Sequence, residues 1–192
     1  MTEYKNRKSV QLRYTRTIEQ DGIAHSLLSC DAHSGTHIDA PAHVIVGGAT
    51  VDQLPLEAFT GPCQVLDLTH VQDAITVDVL SSYTLKAGSF VLFKTRNSAL
   101  PAEAAFVYDF VYLTSQAAQY LVNCNIKGVG IDYLGIERDQ PEHPTHKILL
   151  SNGLTLIEGL RLAHIAAGNY TLFCLPLCIK GAEAAPARAV LL

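Results

Sequence analysis

Three of the chain's eight histidines and one aspartate are concentrated in a single run, His33-Ser34-Gly35-Thr36-His37-Ile38-Asp39-Ala40-Pro41-Ala42-His43. Imidazole nitrogens and carboxylate oxygens together make the donor set of zinc, manganese and iron sites. His33, His37, Asp39 and His43 alternate onto one face of an extended chain, but a straight strand would hold His33 roughly 33 Å from His43, too far for one metal site. The segment must therefore bend, and Gly35 and Pro41 are where a bend costs least. Each histidine alone would read as an ordinary hydrogen-bonded side chain. Their density points to metal binding.

A site made from this run alone would lack distal ligands. His146, in His143-Pro144-Thr145-His146, is one candidate, and Glu158 is another because it ends the apolar run Leu154 to Ile157. A half-buried carboxylate needs a partner, which could be a metal cation or Arg161 three residues on. His143, His25, His70 and His164 read as structural or surface residues. Cys30, three residues before His33, could supply a thiolate ligand or nucleophile, although a free cysteine more often packs as a small hydrophobe.

Short apolar runs must position these residues. Val10, Leu12 and Tyr14 alternate with Gln11, Arg13 and Thr15, which predicts a half-buried strand. Further strands are expected at Cys63 to Leu68, Ser89 to Lys94, Phe110 to Leu113, Gly128 to Asp132, Leu154 to Ile157, Tyr170 to Ile179 and Arg188 to Leu192. One helix is expected to start with Thr114 or Ser115 as its N-cap and to bury Ala117, Ala118, Leu121 and Val122. A second, short one should follow Pro144 and end at the Ser-Asn-Gly turn of 151 to 153. Strands outnumber helices, so the fold class is α/β with a mixed, strand-rich sheet and few helices.

Composition narrows the function. The 192 residues suit one domain covering 1–192. Charged residues make up 17%, against a usual value of about 25%, which favours a surface partly covered in an oligomer. A net charge of −4 has the wrong sign for phosphate neutralisation, so no nucleic-acid partner is expected. No apolar run reaches the roughly 18 residues of a bilayer span, so no membrane partner is expected either. The basic stretch from Met1 to Arg16 has no apolar signal-peptide core behind it, and the five cysteines are scattered without a C-x-x-C pair. Both features suggest a cytoplasmic protein without a disulfide framework.

The His33 to His43 run resembles the H-x-G-T-H-x-D-x-P-x-H motif of the cyclase-like metal-dependent hydrolases, the family that includes the bacterial kynurenine formamidases. The resemblance extends to Gly61-Pro62, Gly130-Ile131-Asp132, His146-Lys147-Ile148-Leu149-Leu150, Glu158, Leu175-Pro176-Leu177 and Pro186-Ala187-Arg188-Ala189. It covers most of the chain from about Ser29 onward. It implies a swivelling β/β/α fold, a homodimer or homotetramer, and one or two divalent ions per subunit, Zn²⁺ or Mn²⁺. His33 and His37 resemble ligands of the first ion, and Asp39 a carboxylate touching both. His146 resembles a ligand of the second ion and Glu158 a second shared carboxylate. His43 resembles the general acid and base.

The implied chemistry is hydrolysis of a small-molecule amide C–N bond by metal-activated water, with His43 taking and returning the proton. N-formylkynurenine, an intermediate of tryptophan catabolism, is the favoured substrate, which makes the chain an arylformamidase. A cyclic imide, lactam or lactone is the alternative. The sequence departs from the kynurenine formamidases in having no Trp and in its shorter N-terminal stretch, so Tyr14 is the candidate to contact the aryl ring. Two other classes remain: a metal-binding protein without catalysis, whose closed coordination sphere would not need His43, and a metal-free enzyme using Cys30 and a histidine.

Overall fold

The computed structural model describes residues 10–101 and 104–192. Met1 to Ser9, most of the basic stretch considered above, lie outside them. Eleven strands run in chain order: β1 (Gln11–Arg16), β2 (His25–Ser29), β3 (His37–Asp39), β4 (Thr60–Leu68), β5 (Ala74–Ile75), β6 (Phe90–Thr95), β7 (Tyr112–Leu113), β8 (Gly128–Ile131), β9 (Thr155–Glu158), β10 (Gly168–Pro176) and β11 (Ala184–Leu191). The helices are α1 (Ile18–Asp21), α2 (Val77–Ser81), α3 (Ser115–Asn123) and α4 (Pro144–Ser151). Seven strands close a barrel in the order β10-β11-β3-β9-β8-β6-β4. β4, β6, β8 and β9 pair in parallel, while β3, β10 and β11 join antiparallel. The fold is thus the mixed, strand-rich one expected.

Period-two alternation divides the strands between two cores. Ile38, Cys63, Val65, Phe90, Leu92, Ile157, Leu172 and Cys174 form a cluster shared by five barrel strands. Their immediate neighbours Leu66, Val91, Phe93, Val129, Ile131 and Leu156 pack instead with Leu80 of α2, Ala117, Ala118 and Leu121 of α3, and Leu149 and Leu150 of α4. The first cluster therefore fills the barrel, and the second joins its outer wall to the helices. This division sets the site. His37 and Asp39 flank Ile38, and Glu158 follows Ile157, so all three are directed to the wall that faces the helices.

The two longer helices start as their sequences suggest. The Thr114 side chain accepts from the Ala117 N–H at the head of α3, and Pro144 opens α4. The N-terminal strand differs from expectation: β1 pairs only with β2, and both are exposed on both faces. Its alternation signals a buried face, yet nothing among the described residues covers it. The expected strand from Tyr170 to Ile179 ends at Pro176, and that at Phe110 to Leu113 shrinks to β7. No helix among the described residues is long and apolar enough to cross a membrane.

Candidate metal centre

The His33 to His43 run folds back as its length demands. Gly35 takes φ +65°, three residues form β3, and Pro41 opens a 3₁₀ turn ending at His43. As a result the His33 and His43 rings lie 4.4 Å apart between centroids. β3 pairs with β9 in a register that sets His37 opposite Glu158, and the first turns of α4 bring His146 to the same place.

The two carboxylates lie between two groups of imidazoles. Asp39 Oδ1 is 3.0 Å from His33 Nδ1 and 3.5 Å from His37 Nε2, while its Oδ2 is 3.7 Å from His146 Nε2. Glu158 divides the same way, with Oε2 at 3.5 Å from His37 Nε2 and Oε1 at 3.3 Å from His146 Nε2. Ligand atoms of His33, His37 and Asp39 fall within 4.8 Å of one another, as do those of Asp39, His43 and His146. His37 Nε2 and both Asp39 oxygens are buried yet lack a hydrogen-bond partner. At 3.0 Å, His33 and Asp39 are close but not aligned as a hydrogen bond. Orphaned buried acceptors are costly unless a cation completes them, so these residues fit a metal.

The electrostatics agree. Burial pulls the His146 and His37 rings down, but the facing carboxylates outweigh it and raise them to about 10 and about 9. Burial likewise opposes ionisation of Glu158 and Asp39, yet the histidines hold both below the usual carboxylate range. The pocket therefore demands positive charge, which protons supply in the absence of metal. His43 is shifted the other way, below 6.5, by burial and by the His33 and His146 rings, against the pull of Asp39 and Glu158.

Gly159 locks this arrangement. At φ +68° its hypothetical Cβ would lie 2.2 Å from the Gly35 carbonyl oxygen, the atom 2.9 Å from His37 Nδ1. Gly159→Ala combines a left-handed backbone penalty of roughly 1–2 kcal/mol with overpacking of roughly 1–3 kcal/mol. The expected outcome is a loss of at least about 2 kcal/mol in urea unfolding and weakened metal binding. A change within about 0.5 kcal/mol, the usual surface range, would contradict it.

A cavity of about 390 Å³ opens beside the centre, lined by His33, His43, His146 and Glu158 on one side and by Phe106, Tyr108, Phe110 and Leu134 on another. Tyr14 is not among its lining residues; it is 63% exposed on β1. Arg161 donates to the Leu100 carbonyl and makes no ion pair with Glu158, whose Oε1 instead accepts from the Ile136 N–H. Cys30 is a free thiol, and it, His25, His70 and His164 lie outside the candidate metal groups. His143, read from sequence as structural or surface, is exposed at the rim of the cavity with its ring 2.7 Å from Glu137. Glu137 was missed altogether. Nothing in an acidic loop announces which carboxylate turns inward.

A histidine and carboxylate centre at the seam of a barrel strand pair and a helix defines a candidate site for divalent cations. Comparison with known proteins gives the family. The sequence profile described as "Putative cyclase" matches residues 7–138. Over 187 residues the chain is 33% identical to kynurenine formamidase of Salinibacter ruber, covering 96% of this chain and 88% of that protein. It is 38% identical over 177 residues to cyclase-like protein 3 of Oryza sativa subsp. japonica, covering 88% of this chain but only 65% of that longer protein. A solved structure described as a potential metal-dependent hydrolase with cyclase activity superposes with TM-score 0.88 at 47% identity, over 100% of this chain and 90% of that one. Isatin hydrolase A from Labrenzia aggregata superposes with TM-score 0.85 at 25% identity, over 95% and 82%. The chain belongs to the cyclase family.

Proposed function

We propose that this chain is a metal-dependent hydrolase of a small-molecule amide C–N bond, with N-formylkynurenine, cleaved by water to kynurenine and formate, as the favoured substrate. The observation that carries the reading is the pair of carboxylates, each with one oxygen toward His37 and the other toward His146, beside a cavity that admits a small molecule. In this reading His33, His37 and Asp39 would hold one divalent ion and His146 a second, with Asp39 and Glu158 available to both. The mixed nitrogen and oxygen donors suit Zn²⁺ or Mn²⁺. When bound, such an ion polarises a carbonyl and lowers the pKa of water towards roughly 7.

The chain's own residues do the rest. His43 makes no side-chain hydrogen bond among the described residues and lines the cavity. Held below its ordinary pKa, its ring is neutral at pH 7 and free to take a proton from the attacking water. Returning that proton to the departing nitrogen matters because an amine leaves poorly until protonated. Phe106 and Tyr108 meet edge to face at 5.1 Å, and Phe110 stacks on Tyr133 at 4.5 Å. This wall offers an aryl substrate the flat surface that a Trp would otherwise give.

The test is a hydrolase screen of the Zn²⁺- or Mn²⁺-loaded protein with N-formylkynurenine and formylated anilines beside cyclic imides and lactones. Stacking contributes roughly 0.5 to 1.5 kcal/mol, so Tyr108→Ala should raise KM for the aryl formamides roughly two- to tenfold with kcat little changed. Brisk turnover of cyclic substrates with none of N-formylkynurenine would refute the formamidase assignment. The likeness to isatin hydrolase favours that second reading, since isatin is a cyclic amide.

The assembly proposed is a homodimer or homotetramer in the cytoplasm. Its support is the uncovered β1 and β2 pair, where Leu12, Tyr14, Leu27 and Leu28 are all more than half exposed. A lone two-stranded hairpin is marginal in water, so a second copy is the natural cover. Tyr14, absent from the cavity of its own chain, would contact substrate only across such an interface. A one-chain mass in solution would refute this.

A further inference from the structure

Glu137 belongs to neither proposed set of metal ligands, yet it is 9% exposed and fully engaged. Its Oε2 accepts the Thr145 N–H at 2.9 Å, and its Oε1 lies 2.8 Å from His146 Nδ1 and 2.7 Å from His143 Nδ1. The Thr145 contact accounts for part of this. A helix leaves its first N–H groups without partners, and His143, the residue before α4, makes no side-chain cap. Glu137 reaches in from the loop after β8 and caps the helix instead. The His146 contact has a different consequence. A carboxylate only accepts, so His146 Nδ1 must carry the hydrogen, and the Nε2 lone pair is left for a cation. That same Nε2 is the atom at 3.3 Å from Glu158 and 3.7 Å from Asp39.

We infer that Glu137 is a positioning residue for the metal centre: it fixes the tautomer and ring orientation of His146, and by capping α4 it fixes the backbone from which that ring projects. The inference rests on the reading of His146 as a metal ligand. His143 shares the same oxygen, but its side chain is 66% exposed and its other contact is an edge-on ring contact with His146 at 5.9 Å. It is therefore a second, outer partner of Glu137 and not the residue being positioned.

The experiment is a Zn²⁺ competition titration against a chromophoric chelator, with the metal alone as probe, on wild type, Glu137→Ala, Glu137→Gln, His143→Ala and His146→Ala. Outer carboxylate partners of ligating histidines are typically worth 10- to 100-fold in metal affinity. Glu137→Ala should weaken by that factor the Zn²⁺ equivalent that His146→Ala removes, while the other equivalent keeps its affinity. Glu137→Gln, which retains an acceptor for Nδ1–H but not one for Thr145, should fall between wild type and Glu137→Ala. His143→Ala should stay within about twofold of wild type. Nuclear magnetic resonance of the His146 ring in the Zn²⁺-loaded protein provides a readout that helix capping alone would not move: an Nδ1–H shifted downfield by its hydrogen bond to a carboxylate in wild type, and loss of that shift in Glu137→Ala. Wild-type affinity in both Glu137 variants, or an unchanged His146 Nδ1–H signal in Glu137→Ala, overturns the inference. If Glu137→Ala does not fold, Glu137→Gln alone decides by the same criteria. Full Zn²⁺ binding by His146→Ala would show instead that the ligand assignment is wrong, and the inference falls with it.

Discussion

Asp39→Ala is expected to strip metal from both subsites, whereas His146→Ala should leave one ion bound. The difference follows from how the carboxylates divide. Asp39 presents Oδ1 to His33 and His37 and Oδ2 to His146, and it is fully buried. Removing it leaves the first group with two imidazoles and Glu158 Oε2, and takes an oxygen from the second as well. His146→Ala leaves His33, His37 and Asp39 untouched. Lewis-acid activation is worth several kcal/mol, so Asp39→Ala should also lose on the order of 10³-fold or more in kcat/KM. The check is metal analysis of dialysed wild type and both variants, with thermal unfolding confirming that each is folded. Equal metal content in all three would rule out a shared Asp39 and with it the two-ion centre.

Much of this centre was legible because its chemistry is compressed into one run. Donors crowded between His33 and His43 demand a bend, and the glycine and proline within the run are where the chain turns. Strands such as β6 and β8 are legible as apolar runs because both their faces are buried, one in the barrel and one under the helices. β3 did not show: three residues long, its pattern is dominated by His37 and Asp39, which a strand rule counts as polar. The β1 alternation does mark a strand, but no surface among the described residues covers its apolar face. Phe106, Tyr108 and Phe110 alternate like a strand, yet they lie in irregular backbone and a turn, so the pattern does not announce the cavity wall that they form. Glu137 carries no signal, because its role depends on a loop path that brings it back onto the helix that starts seven residues later.

His43→Ala should keep its metal and lose on the order of 10² to 10⁴ in rate, the usual contribution of positioned acid–base catalysis. The geometry sets two roles in competition. His43 could be a ligand, because one of its ring nitrogens lies within 4.8 Å of donor atoms of Asp39 and His146. It could be the proton carrier, because its ring is only partly buried and faces the cavity, while every other proposed donor except His33 is at least nine-tenths buried. The shift of its pKa favours the second role. A group that must be neutral to act works above its pKa, and burial with the neighbouring rings holds His43 below 6.5, so a bound cation would push it further the same way. The acid limb of the kcat/KM profile in wild type should therefore lie below pH 6.5, with activity falling as pH drops through it, and this limb should flatten in His43→Ala. Metal analysis separates the roles: a variant that loses metal in proportion to activity identifies a ligand, whereas a fully loaded and slow one identifies the group that moves the proton.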